Sequence, residues 1–169
     1  MKLALPALAT IAACSIAAVG LGAGPRAAEV QLTPAQSDYL EQCGGCHGLQ
    51  GDTSPAPIPV LRGRVGYFMC TQAGREYLLR LPNIAHARID DESLAEMMNF
   101  VVFGLGPRTA PAAAKPFTTA EVTRLRPKAM TGYEVDTTRR QVVETIVKDC
   151  GAPKSLRLAY PGQVQPKTP

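Results

Sequence analysis

Tryptophan is absent from this 169-residue chain, aromatic residues of any kind make up 5 %, and there are two histidines, His47 and His86. So few rings supply no platform for stacking nucleobases, and no run of Lys or Arg forms a phosphate-binding footprint. Charged residues are 19 % and the formal net charge is +4. The basic residues Arg62, Arg64, Arg75, Arg80 and Arg88 are scattered, and Asp90, Asp91, Glu92 and Glu96 read as an ordinary solvated face. Nucleic acid is therefore not an expected partner. No combination of side chains presents a general base, an activated nucleophile or a second metal cluster, which argues against an enzyme acting through its own residues. Apolar runs long enough to approach a membrane span are missing beyond the first 24 residues. Fifteen Pro and fifteen Gly imply much loop and a small packed core.

What is present is Cys43-Gly44-Gly45-Cys46-His47. The C-x-x-C-H spacing is the attachment signature of c-type haem. Two thiols three positions apart can each add to one vinyl group, and the imidazole that follows is held beneath the iron. Glycines at 44 and 45 leave room for the porphyrin edge. A zinc site would need a second close ligand pair, and only Cys70, Cys150 and His86 remain after the leader. A thioredoxin-like dithiol would need a βαβ context, and no strand-rich stretch flanks the motif. The expected cofactor is one covalent haem c with its iron on His47.

Met1-Lys2 and the Ala-rich run over residues 3–24 read as a secretory signal peptide, cleaved somewhere between 20 and 28. Arg26 spoils the small-residue rule for a cut after Ala28, and cuts after Gly20 or Gly22 satisfy it better. Two anchored alternatives stay open: an uncleaved leader, or a lipoprotein acylated at Cys14 behind Ile11-Ala12-Ala13. Export agrees with the haem motif and places the mature chain in the periplasm.

The remainder predicts an all-α protein. Thr33 is a good N-cap with Pro34 at N1, so a helix runs from there into Cys43. Tyr39 lies one turn before Cys43 and shares its face, able to pack beside the cofactor. Residues 63–70 are apolar, a pocket lining in prospect. A short helix is expected over 74–81, with Leu78 and Leu81 inward and Pro82 as its stop. After a loop over 82–88, Asp90 caps a helix whose apolar stripe is Leu94, Met97, Met98, Val101 and Val102.

An aromatic one turn ahead of the motif, Cys43 to Gly51 as C-x-x-C-H-G-x-x-G, and Pro59-Val60-Leu61-Arg62-Gly63 as P-x-L-x-G together resemble the class I c-type cytochromes. The resemblance spans about residues 33–106. It implies a cytochrome c-like haem domain (29–106) in which the Pro59 carbonyl accepts the Nδ1–H of His47, and in which the 90–105 helix shields the haem. It also implies a second axial ligand from the loop before that helix, usually a Met. This loop contains no Met. Its one good donor is His86, so bis-His ligation by His47 and His86 is the leading expectation. Met69 is the alternative, Met97 and Met98 read as core residues, and a five-coordinate iron is also open. Met ligation gives a higher potential than bis-His, so the choice sets the redox role.

Residues 107–157 form a helical extension beyond the resemblance, and 158–169 read as a disordered tail. Ala110 to Pro116 is a linker by composition. Thr118-Thr119-Ala120-Glu121 matches a capping box for a helix to about Leu125. Asp136 is a candidate cap for a later helix whose apolar face is Val142, Val143, Ile146, Val147 and Cys150. In an oxidising compartment Cys70 and Cys150 suggest a disulfide, two buried free thiols being the alternative. The function implied is single-electron transfer by a monomer, taking electrons from a periplasmic dehydrogenase and passing them to a terminal oxidase or reductase. Two alternatives belong to other classes: a haem enzyme or gas sensor with an open iron site, and a fixed cytochrome subunit of a larger oxidoreductase.

Overall fold

The computed structural model describes residues 31–52 and 58–158. The expected leader, Cys14 and the tail from 159 onward lie outside them. Helix is the one regular element among the described residues, and no strand occurs there.

Helix α1 (Pro34–Tyr39) starts from a reciprocal cap in which the Gln36 N–H donates to Thr33 Oγ1 at 3.3 Å and the Thr33 N–H donates to Gln36 Oε1 at 2.8 Å. The helix widens into a π-helical stretch (Leu40–Gly44) and tightens again as α2 (Gly45–His47). A widened turn of this kind is common at functional positions, and here it carries Cys43.

A 3-10 turn (Val65–Cys70) precedes α3 (Gln72–Arg80). The turn buries Val65, Gly66, Phe68 and Met69. A Cβ on Gly66 would strike the Thr109 side chain and the backbone of Ala110 and Gly106, so only glycine lets this turn close onto residues 106–110. Helix α3 begins two residues earlier than the sequence suggests, because the Thr71 side chain accepts from the Gly74 N–H. Its inward residues are Tyr77, Leu78 and Leu79, with Leu81 half-buried. Pro82 stops α3 and also opens a short helix, α4 (Pro82–Ala85), in place of the expected loop. A fixed φ suits proline to the first helical position.

Helix α5 (Asp91–Asn99) is capped by Asp90, which accepts from the Ser93 N–H at 2.8 Å, and continues as a π-helical stretch (Phe100–Leu105). Its predicted stripe is buried throughout, with Leu94, Met97 and Val102 at 0 % exposure. Each such side chain contributes about 1.5–3 kcal/mol through burial. Helix α1 crosses α5, and Tyr39 meets Phe100 edge-on with ring centroids 5.6 Å apart.

The extension holds α6 (Thr119–Leu125) and α7 (Gly132–Asp149). Thr118 caps α6, but the Glu121 carboxylate pairs with Arg75 instead of returning to the cap. Helix α7 starts at a Thr131–Glu134 capping box, with its cap five residues before Asp136, the cap expected from the sequence. Val142, Val143 and Ile146 are buried where α7 packs on α3 and the 65–70 turn. The Cys70–Cys150 disulfide joins the far end of α7 to that turn.

One apolar cluster contains both Leu94 and Met97 and the extension's Val122, Leu125, Ile146 and Leu156. The extension expected from residue 107 is therefore packed into the same core as the residues before it. The stretch 110–116 is not a free linker. Arg75 binds the carbonyls of Lys115 and Pro116, and Asn99 bonds both backbone groups of Phe117.

Candidate haem-binding site

The helix over 34–47 delivers its two cysteines differently. Cys43 is half-buried against the core, Cys46 is exposed, and both thiols are free. Burial, with Cys46 nearby, pushes the Cys43 thiol up to about 11. A thiol held so far from its thiolate is the opposite of a reactive dithiol, which weakens the thioredoxin-like reading.

His47 ends the helix, half-buried, with Nδ1 2.9 Å from the Pro59 carbonyl oxygen. A carbonyl can only accept, so the proton sits on Nδ1 and Nε2 is left as the nitrogen with a free lone pair. Burial lowers the His47 pKa, against a smaller opposing effect of the Pro59 bond. The ring is thereby favoured in the neutral form that binds metals.

The Pro59 segment is in turn tied down. Gly51, at φ +72°, turns its carbonyl to accept from the N–H groups of Leu61 and Arg62, each at 2.8 Å. Gly63 donates to the Leu105 carbonyl at 3.0 Å, and Arg62 bonds both the backbone and side-chain oxygens of Gln50. Tyr39, fully buried, donates to the Gly48 carbonyl at 2.7 Å. Burial, then the proximity of Cys43 and Asp52, pushes its phenol up to about 12, so it stays a neutral donor. Tyr39, Cys43, Cys46, His47 and Pro59 are thus brought into one region by α1, α2 and the 58–63 segment.

The two distal candidates fare differently. His86 caps the end of α4 and is exposed, on a loop whose Arg88 N–H donates to Gln42 Oε1 at 3.3 Å, beside Cys43. Met69 is buried and lines a cavity of about 390 Å³ bounded by Arg75, Ala114, Pro116 and Glu121, with no residue of 43–47 in its wall. Met97 and Met98 lie in the core at 0 % and 2 % exposure. Among the described residues, no cluster of three or more His, Cys, Asp or Glu side chains forms a protein-only metal cage.

Two arginines that no sequence pattern singled out tie residues 115–126 to the rest of the chain. Arg75 pairs with Glu121. Arg126 reaches the carbonyls of residues 85, 87 and 89. Beside the carboxylates of Glu121 and Asp91, their partners are backbone carbonyls distant in sequence, which leave no periodic or motif signal.

The donor set fits a covalently attached haem: two free thiols one turn apart, then an imidazole oriented through Nδ1 with Nε2 available. An all-α chain with this site has the architecture of a class I c-type cytochrome.

No family model matches the chain. It is 29 % identical over 132 residues to a cytochrome c-552 of Thermus thermophilus, covering 66 % of this chain and 89 % of that protein. A second Thermus thermophilus cytochrome c-552 is 29 % identical over 119 residues, covering 60 % of this chain and 91 % of the relative. The chain is a distant relative of the class I c-type cytochromes.

Proposed function

We propose that this chain is an exported, periplasmic single-electron carrier with one haem c, bound through Cys43 and Cys46 and ligated by His47. It would accept electrons from a dehydrogenase and pass them to a terminal oxidase or reductase. The observation that carries the reading is the 2.9 Å contact of His47 Nδ1 with the Pro59 carbonyl, one residue after a pair of free thiols. An acceptor on the far nitrogen fixes the ring and makes its other nitrogen a stronger donor. Bound haem supplies reversible one-electron redox chemistry at iron. The relatives, both cytochromes c-552, support the same class of role.

The chain's own residues contribute rigidity. Tyr39 locks the turn after the motif through Gly48, and Gly51 fixes the segment that carries Pro59. We assign the sixth position to His86, whose loop lies against Gln42. In class I cytochromes the loop before the closing helix supplies that ligand. Exposure of His86 is the observation that favours the second reading, an open site of the enzyme or gas-sensor class. Among the described residues no helix is long and apolar enough to cross a membrane.

Expression in a host that matures c-type haem tests the reading. The carrier reading expects the mass of chain plus one haem, a one-electron titration, and no carbon monoxide adduct of the reduced protein. Colourless protein with both thiols alkylatable would sink it, and stoichiometric carbon monoxide binding would favour the open site.

A further inference from the structure

The guanidinium of Arg126, at the end of α6 in the extension, is wrapped by the loop that carries His86. Its Nε donates to the Ala85 carbonyl at 2.8 Å, one Nη to the Ile89 carbonyl at 2.9 Å, and the other Nη to the Ala87 carbonyl. The nitrogen bound to Ile89 also contacts Asp91 Oδ1 at 2.7 Å, and Thr123 donates to Asp91 Oδ2 at 2.6 Å. Alternate carbonyls of the 85–91 loop thus converge on one cation supplied from 37 to 41 residues away.

A loop of this length has many conformations, and the helix ends at Ala85 and Asp91 set only its endpoints. Arginine offers five donors in a rigid fork and never loses its charge, so its bonds to carbonyls are charge-assisted. The side chain is one-fifth exposed, which limits competition from water. On the loop's other flank, Arg88 donates to Gln42, next to Cys43. The loop is therefore held between the cysteine-bearing helix and Arg126, and His86 lies within the held stretch.

We propose that Arg126 is a positioning residue for the sixth iron ligand: the extension fixes the 85–91 loop so that His86 is presented toward the site built on His47. The inference rests on the carrier reading above. It gives the extension a function within the redox centre, since removing its cation would free the ligand loop without touching the thiols, His47 or Pro59.

The test uses full-length holo protein with Arg126→Gln, Arg126→Lys and His86→Ala, each first checked for covalent haem by mass. The readouts are the ferric EPR spectrum, the midpoint potential and carbon monoxide binding by the reduced protein. Wild type is expected to be six-coordinate and closed to carbon monoxide. His86→Ala is expected to open the site. Arg126→Gln is expected to raise the carbon monoxide-accessible fraction about tenfold or more, the scale on which groups behind a metal ligand act. Arg126→Lys, keeping the charge and part of the bonding, should fall between. If Arg126→Gln does not fold, Asp91→Asn, which weakens one of the Arg126 contacts, is read in its place and should shift the same signals in the same direction. Arg126→Gln or Asp91→Asn protein with wild-type EPR, potential and carbon monoxide exclusion overturns the proposal. So does a His86→Ala protein that stays closed. A wild-type chain without covalent haem fails at the mass measurement and overturns the carrier reading itself, a separate result.

Discussion

Arg75 and Glu121 face each other fork to fork, Nε to Oε1 at 2.5 Å and Nη2 to Oε2 at 2.6 Å, across 46 residues of sequence. The same guanidinium binds the carbonyls of Lys115 and Pro116 and lies 4.3 Å from the centre of the Phe117 ring. Both side chains are nearly buried, at 14 % and 13 % exposure. Removing one partner leaves a desolvated charge, so Arg75→Ala should cost about 3 kcal/mol in urea denaturation. The double variant with Glu121→Ala should cost little more than either single change. Strictly additive losses would show that the pair is not coupled.

The disulfide between Cys70 and Cys150 closes a loop of 80 residues. Such a long closure restricts the unfolded chain, so reduction, or Cys150→Ser, should lower stability by about 2–4 kcal/mol. Helical content at room temperature should persist, because Val142, Val143 and Ile146 keep α7 seated. Unchanged urea midpoints with and without reductant would contradict this.

Two glycines with left-handed backbone predict a contrast. Gly51 has φ +72°, and a Cβ there would lie 3.0 Å from Leu105 Cδ1 and 3.1 Å from the Leu61 Cβ. Gly63 has φ +65° and open space around the same position. Gly63→Ala should cost only the conformational strain, about 1–2 kcal/mol. Gly51→Ala adds crowding and loosens the segment that carries Pro59, so its thermal midpoint should fall further. Equal losses would mean that the packing at Gly51 is immaterial.

Asp91 predicts a pH dependence. Its hydrogen bonds to Thr123 and then Arg126, with the attraction of that cation, hold its pKa below the ordinary 3.8. A depressed carboxylate binds fewer protons in the folded state, so its contribution is complete above the ordinary value and is lost as pH falls through the folded one. Urea midpoints of wild type should therefore decline below about pH 4 more steeply than those of Asp91→Asn. Parallel pH profiles would remove Asp91 from the acid response.

Local signals carry much of this fold. Thr33 with Pro34, Asp90 ahead of its stripe, and Thr118 ahead of α6 each mark a helix start at the observed residue, because a cap is decided by neighbours within four positions. Where two caps compete, as with Thr131 and Asp136, the one with Glu three residues on wins, since the Glu134 carboxylate accepts from both the N–H and the hydroxyl of Thr131. Pro82 reads from sequence as a stop alone, yet a residue that ends one helix can open the next.

At the candidate site, the 43–47 motif and Pro59 are readable from spacing and from the family likeness, since covalent haem chemistry demands thiols and an imidazole at short, set intervals. The helical class and the apolar stripes likewise follow from local periodicity alone. The chain folded in space decided which face of the molecule Met69 would line, that the extension would share one core with the rest, and that Arg75 and Arg126 would each gather carbonyls from segments about 40 residues away. Backbone carbonyls are alike in every residue, so nothing in the order of side chains announces which of them an arginine will meet.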